Sequence, residues 1–151
     1  MKTQADAGSA PAAVTLQPAD STLSPWARLF LVCGALLGFA TVAMGALVTH
    51  LPDRSLASGG RELLRSAVQM QGWHTVALLA AGLLADRRPG LPVRLAGLAF
   101  LLGIGCFCAG LYTLGFAGDS AWARRMGHLA PIGGSVLMLG WLLLALACLR
   151  R

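Results

Sequence analysis

Uncharged, mostly apolar positions fill four long stretches of the chain, and short segments that contain Arg separate them. Each stretch is at least 20 residues long, and the four are Leu29–Leu51, Ser66–Ala85, Leu95–Gly118 and Met126–Leu149. A helix rises about 1.5 Å per residue, so each stretch can cross a hydrocarbon core of about 30 Å. We therefore predict an all-α integral membrane protein, a four-helix antiparallel bundle. Its spans are expected at about residues 27–50, 64–85, 94–117 and 126–149.

The composition excludes a soluble helical bundle. Apolar residues make up 56% of the chain and charged residues 12%, and the mean hydropathy is +0.69. A soluble bundle needs a charged stripe on each helix, whereas the charges here lie in the N-terminal tail, the loops and the helix ends. The net charge of +6 does not indicate nucleic-acid binding, because the Arg residues are dispersed along the chain. The expected partner is the lipid bilayer.

The N-terminal tail, residues 1–24, is rich in Ala, Ser, Thr and Pro and shows no helical stripe, so it is predicted to be disordered. The transmembrane domain is predicted at residues 25–151. Its first apolar stretch is too long for a signal peptide and is expected to remain as an anchor. Four spans place both termini on one side, where six Arg stand against five on the other. This excess predicts that both termini are cytoplasmic.

Small residues recur at helical spacing in three of the four stretches, which lets neighbouring helices approach closely. For the pair in the first stretch, Gly34 and Gly38, we favour packing within the chain over a dimer interface. Pro131 lacks an N–H and is expected either to kink the fourth helix or to mark the true start of its span. The complete packing motif is predicted to comprise Gly34, Gly38, Gly45, Gly103, Gly110, Pro131, Gly133 and Gly134.

A pair of polar side chains lies deep in the second stretch. Gln71 and His74 are three residues apart and therefore share a helix face. An unpaired imidazole near the bilayer midplane is costly, so we expect His74 to have a hydrogen-bonding partner, for which Gln71 is a candidate. The simplest interpretation is a neutral histidine that holds helices together. The alternative is a small-solute or ion translocator that uses both side chains, although no span contains the Asp or Glu common in proton-coupled transport.

Two further histidines lie at the ends of apolar stretches. His50 closes the first stretch and His128 begins the fourth, so both are expected near the same membrane surface. Two imidazoles at one level can hold a haem iron or another metal, which is a further alternative. No third ligand is evident, and we expect no cofactor, no bound metal and no catalytic residue.

The remaining aromatic and sulfur-containing side chains are interpreted by position. Tyr112 suits the membrane interface, whereas Trp73 and Trp141 are expected to pack inside the protein. All four Cys fall inside apolar stretches and are expected to be small packing residues.

Several local motifs occur in order along residues 28–149. They are Gly45–His50, Gln71–Leu78, Gly110–Tyr112 and Pro131–Gly134, the last followed by Gly140–Trp141. Together they resemble the domain-of-unknown-function 423 family, the YgdD-like bacterial inner-membrane proteins related to eukaryotic transmembrane protein 256. The resemblance implies a multi-pass protein of the bacterial inner membrane, and it implies no reaction, because the family has no established activity. The chain departs from the family at Met70, where Tyr is usual, and at Ala130, where Thr is usual.

These observations together predict a protein that is not an enzyme. We expect a structural, assembly or regulatory component that acts through helix–helix contacts. Those contacts are expected with copies of the same chain, as a homo-oligomer, or with another membrane protein.

Overall fold

A computed structural model describes residues 22–118 and 120–149, and within these ranges the chain is helical and contains no strand. A single 3₁₀ turn, Asp53–Ser55, lies in the first loop. The α-helices are α1 Pro25–His50, α2 Gly60–Arg87, α3 Leu91–Ala117, α4 Ala121–Gly127 and α5 Leu129–Leu149. The all-α fold predicted from the sequence is confirmed, and most of the predicted tail, residues 1–21, lies outside the described residues.

Local sequence signals set the boundaries of α1 and α2. The hydroxyl of Ser24 accepts a hydrogen bond from the Ala27 amide over 3.2 Å, and Pro25 occupies the first turn, where no amide donor is needed. At the start of α2, Gly59 has a φ of 70°, a left-handed conformation that glycine adopts without strain. The turn between the helices is therefore held by residues suited to it.

The fourth predicted span is interrupted near its start. α4 ends at Gly127, and α5 begins at Leu129 after the single intervening residue His128. Pro131 explains the break, because it has no amide to donate to the carbonyl of Gly127 and its ring crowds that carbonyl. The predicted effect of Pro131 on this helix therefore takes the form of a break between a short helix and a long one.

The centre of the fold is the pair α2 and α3. α2 carries eleven buried residues and α3 ten, whereas α1 carries four and α5 five. α1 packs mainly on α2, and α5 packs mainly on α3. The described parts of α1 and α5 have little contact with each other, so the closed ring of helices implied by a four-helix bundle is not seen.

Within the described ranges, three helical segments are long and apolar enough to cross a membrane: α1, α3 and the segment Ala121–Leu149, which comprises α4 and α5. The chain is thus an all-α membrane protein. α2 does not meet this criterion, because Gln69, Gln71 and His74 interrupt its apolar sequence. α2 has 28 residues and is therefore long enough to cross a membrane. That it forms the second span remains a prediction, and its central position in the packing supports it.

Candidate functional site

The glycine face of α1 packs on α2. A Cβ built on Gly34 would lie 2.5 Å from Leu79 Cδ2, so no larger side chain fits there without a shift. The same face of α1 meets Thr75 at Gly38, one turn further along, and Val68 at Gly45, two turns beyond that. Partner numbers fall as those of α1 rise, so the two helices run antiparallel. The structure therefore places the small residues of α1 in an interface within the chain.

A second close approach joins α3 to α5. A Cβ on Gly103 would lie 2.6 Å from Leu137 Cδ2, and one on Gly110 would lie 3.1 Å from the amide nitrogen of Ala130. A Cβ on Gly133 would overlap the backbone of Phe107 on α3. A Cβ on its neighbour Gly134 would instead make ordinary contact with the ring of the same residue, at 3.7 Å from Cδ2. The segment Pro131–Gly134 is thus where the backbones of α3 and α5 approach most closely.

Three buried polar side chains form the candidate site, and they lie within five consecutive residues of α2. Among the described residues, the buried polar side chains are Gln71, His74 and Thr75, with exposures of 4%, 6% and 4%. Burying such groups away from water is costly unless they are hydrogen-bonded. Their partners therefore decide what the site can do.

Gln71 joins three helices through both ends of its amide. Its Nε2 donates to the carbonyl oxygen of Leu37 on α1 over 3.1 Å, and its Oε1 accepts from the hydroxyl of Tyr112 on α3 over 2.9 Å. The prediction that Tyr112 is an interfacial residue missed this contact. Nothing in the local sequence indicates it, since the two residues are 41 positions apart.

His74 is held by its own helix and by aromatic rings. Its Nδ1 lies 2.7 Å from the carbonyl oxygen of Met70, which can only accept, so Nδ1 carries the proton. The imidazole lies 6.1 Å from the ring of Phe100 and 6.0 Å from that of Trp141, between ring centroids. The expectation that Gln71 would be its partner is wrong, because the backbone of Met70 takes that role.

Thr75 differs from its two polar neighbours. Its Oγ1 is buried and has no hydrogen-bond partner among the described residues. Its methyl side faces α1 at Gly38, whereas His74 faces α5 at Trp141. The methyl of Thr75 and the imidazole of His74 therefore pack against different helices, α1 and α5.

The two other histidines lie at helix ends and are exposed. His50 is the last residue of α1, and His128 separates α4 from α5. The described residues contain no group of three or more His, Cys, Asp or Glu side chains that could hold a metal ion. The buried cysteine, Cys108, directs its thiol at the carbonyl oxygen of Ala67 over 3.5 Å and so packs between α3 and α2.

Trp73 is on the outside of the protein. Its side chain is 67% exposed, so the prediction that it packs inside the chain is wrong. It is the fourteenth of the 28 residues of α2, counting from Gly60, and thus lies at the middle of this helix. Its neighbour His74 points inward at the same level.

Arg61 connects the two ends of the first loop, and the sequence did not single out this role. Its guanidinium binds Asp53 with an Nη2–Oδ1 distance of 2.7 Å, donates to Leu51 O over 2.6 Å and contacts the carbonyl oxygen of Val48. The last carbonyls of a helix have no partner within the helix. Arg61, at the start of α2, therefore satisfies the end of α1.

Comparison with known proteins gives a consistent set of relatives. Residues 44–134 match the profile of a family described as "Protein of unknown function (DUF423)". The chain is 33% identical over 118 residues to a UPF0382 membrane protein of Haemophilus influenzae, covering 77% of this chain and 90% of that protein. It is 26% identical over 123 residues to UPF0382 inner membrane protein YgdD of Escherichia coli K12, and the match covers 82% of this chain and 91% of that protein. A UPF0382 membrane protein of Staphylococcus epidermidis is 30% identical over 123 residues, and the match covers 82% of this chain and 97% of that protein. No solved structure matches the chain.

Proposed function

Because the chain belongs to the DUF423 family of membrane proteins, we propose that it is a non-enzymatic component of the bacterial inner membrane. In this proposal it serves the structure, assembly or regulation of a membrane complex, and it acts through the outer face of α2. The partner is a second copy of the chain or a different membrane protein.

The observation that carries this proposal is the outward position of Trp73 at the middle of α2. Tryptophan prefers the membrane–water interface, where its ring is in apolar surroundings and its N–H reaches a polar partner. An indole that faces lipid at mid-helix has no such partner, whereas a neighbouring protein can provide one. Val76 and Leu83, which are 63% and 55% exposed, extend the same face towards the end of α2.

The internal helix interfaces support the same conclusion. The glycine faces of α1 and α3 are occupied by α2 and α5, so they are not open to another protein. The buried polar groups on α2 are largely tied to carbonyl oxygens and to Tyr112. A partner would therefore contact the outer side chains of the helices. Among these is Trp73, whose indole N–H has no hydrogen-bond acceptor in lipid at mid-helix.

Site-specific photocrosslinking in native membranes tests the proposal. Benzoylphenylalanine placed at Trp73 should give a protein adduct of discrete mass, and that mass distinguishes a second copy from a different protein. The matched control is the same group at Phe39 on α1, which is 75% exposed and aromatic; it should give lipid adducts only. Lipid adducts alone at both positions would contradict the proposal.

Translocation through Gln71 and His74 has less support from the geometry. His74 is hydrogen-bonded to the backbone of its own helix, and the neighbouring Thr75 packs its methyl group against Gly38 of α1. Haem or metal binding by His50 and His128 also has less support, because the described part of the chain contains no group of three or more side chains that could hold a metal ion. Proton or solute flux in liposomes that requires His74 would favour translocation over the proposed role.

A further inference from the structure

A groove lined by both polar and apolar residues lies between the end of α1 and the start of α2, outside the buried site. It has a volume of about 240 Å³ and is lined by Gly45, Val48, Thr49, Arg65, Val68 and Gln69. Since Gly45 has no side chain, the groove is open between the helices, and a Cβ there would only touch Val68 at 3.6 Å. The groove is therefore a feature of the helix pair with room for a small group.

The polar side chains of the groove are arranged in two levels. Arg65 is five residues into α2, beside the last turn of α1, and Gln69 follows one turn deeper. One helical turn corresponds to about 5.4 Å. Both side chains are exposed and form no hydrogen bond or ion pair with the described residues. The charged donor thus lies nearer the membrane surface and the neutral amide nearer the hydrocarbon.

The charges around the groove favour an anion. Arg65 is the one charged residue among those that line it, and no carboxylate does. The nearby carboxylate of Asp53 is already paired with Arg61. Glu62, one turn before Arg65, lines a neighbouring groove that Arg65 also borders, but it does not line this one. An anionic group at Arg65 would therefore find a cation without a competing acid inside the groove.

We propose that this groove binds the head of an anionic glycerophospholipid, with its phosphate at Arg65 and an ester carbonyl at Gln69. Guanidinium groups bind phosphate through charge-assisted hydrogen bonds, and a primary amide donates to a carbonyl. A zwitterionic head group fits less well, because its ammonium would lie near Arg65 with no carboxylate in the groove to bind it. The acyl chains, too large for the groove, extend along exposed apolar residues of α1, such as Val42.

Native mass spectrometry of the full chain in neutral detergent, with added phosphatidylglycerol or phosphatidylcholine, tests this site. The wild type should bind phosphatidylglycerol more tightly than phosphatidylcholine. Arg65→Gln should weaken phosphatidylglycerol binding about fivefold, the effect of one basic residue at an anionic membrane surface. Gln69→Leu should weaken it about threefold, the average effect of one side-chain hydrogen bond in a membrane. Because both side chains are exposed, neither change removes a core contact.

The matched control is Arg125→Gln, which removes the same charge from the exposed face of α4 at the same end of the protein. It should leave phosphatidylglycerol binding unchanged. Equal losses in Arg65→Gln and Arg125→Gln would assign the effect to general surface charge and overturn the proposal. Equal binding of the two lipids would also overturn it, as would displacement by millimolar inorganic phosphate, which would indicate a site for a soluble anion.

Discussion

Replacing Gln71 by Met should destabilise the protein through the loss of two defined hydrogen bonds. The side chain donates to the carbonyl of Leu37 over 3.1 Å and accepts from the hydroxyl of Tyr112 over 2.9 Å. Methionine is similar to glutamine in length and has no amide, so the change removes the bonds with little change in volume. The prediction concerns the free energy of unfolding rather than activity.

The magnitude follows from the number of bonds that are lost. A side-chain hydrogen bond between helices in a membrane contributes about 0.6 kcal/mol on average and up to about 1.7 kcal/mol. Gln71→Met removes two bonds and leaves the hydroxyl of Tyr112 without a partner, so we expect a loss of about 1–3 kcal/mol. Tyr112→Phe removes one bond and should cost about 0.6–1.7 kcal/mol. The double variant should fall short of the sum by the energy of the shared bond, again about 0.6–1.7 kcal/mol.

The assay is reversible unfolding of the purified chain in mixed micelles with rising sodium dodecyl sulfate, followed by circular dichroism. The control is Gln69→Met, the same exchange two residues away at an exposed position. It should change the free energy of unfolding by less than about 0.5 kcal/mol and be additive with Tyr112→Phe. If Gln71→Met and Tyr112→Phe were also additive, their mutual contact would contribute nothing to stability, and the interpretation of Gln71 as a tie between α2 and α3 would be refuted.

Two further changes probe the backbone contacts and the first loop with the same assay. Gly133→Ala should lower the free energy of unfolding by about 1–3 kcal/mol, because its Cβ would overlap the backbone of α3; Gly105→Ala, where a Cβ meets open space, should be neutral or stabilise by up to about 1 kcal/mol. Equal effects would show that the close approach of α3 and α5 is not required. Arg61→Gln should cost about 1–3 kcal/mol through the loss of its ion pair and its bonds to the end of α1; the exposed Arg54→Gln should stay within about 0.5 kcal/mol. A loss as large for Arg54→Gln would contradict the specific role of Arg61.

The spacing of small residues predicted which positions pack closely, but it could not identify their partners. Gly34 and Gly38 share a face because a helix repeats every 3.6 residues, and the structure uses that face for packing. Whether the neighbour is α2 or a second copy depends on contacts between distant parts of the chain. Local periodicity carries no information on such contacts.

Relative angles on a helix can be read from sequence, whereas the rotation of the whole helix cannot. Trp73 and His74 are adjacent, about 100° apart around the axis, so their side chains point in different directions. The sequence does not show which of them faces inward, so the prediction that Trp73 packs inside the protein has no support from helix geometry. The aromatic contacts of His74 with Phe100 and Trp141 decide the rotation, and they come from α3 and α5. The indole of Trp73 is therefore left on the outer face.

The least apolar of the long helices, α2, packs between α1 and α3, and this has a physical reason. Lipid provides no hydrophobic force between helices, so a span is retained either by its own apolarity or by contacts that satisfy its polar groups. α1 and α3 are apolar enough to cross a membrane by themselves, and they bear the groups that bind Gln71. α2 depends on those neighbours, because its amide would be unpaired in lipid without them. We therefore expect the transmembrane position of α2 to follow from its packing against α1 and α3 rather than from its own hydropathy.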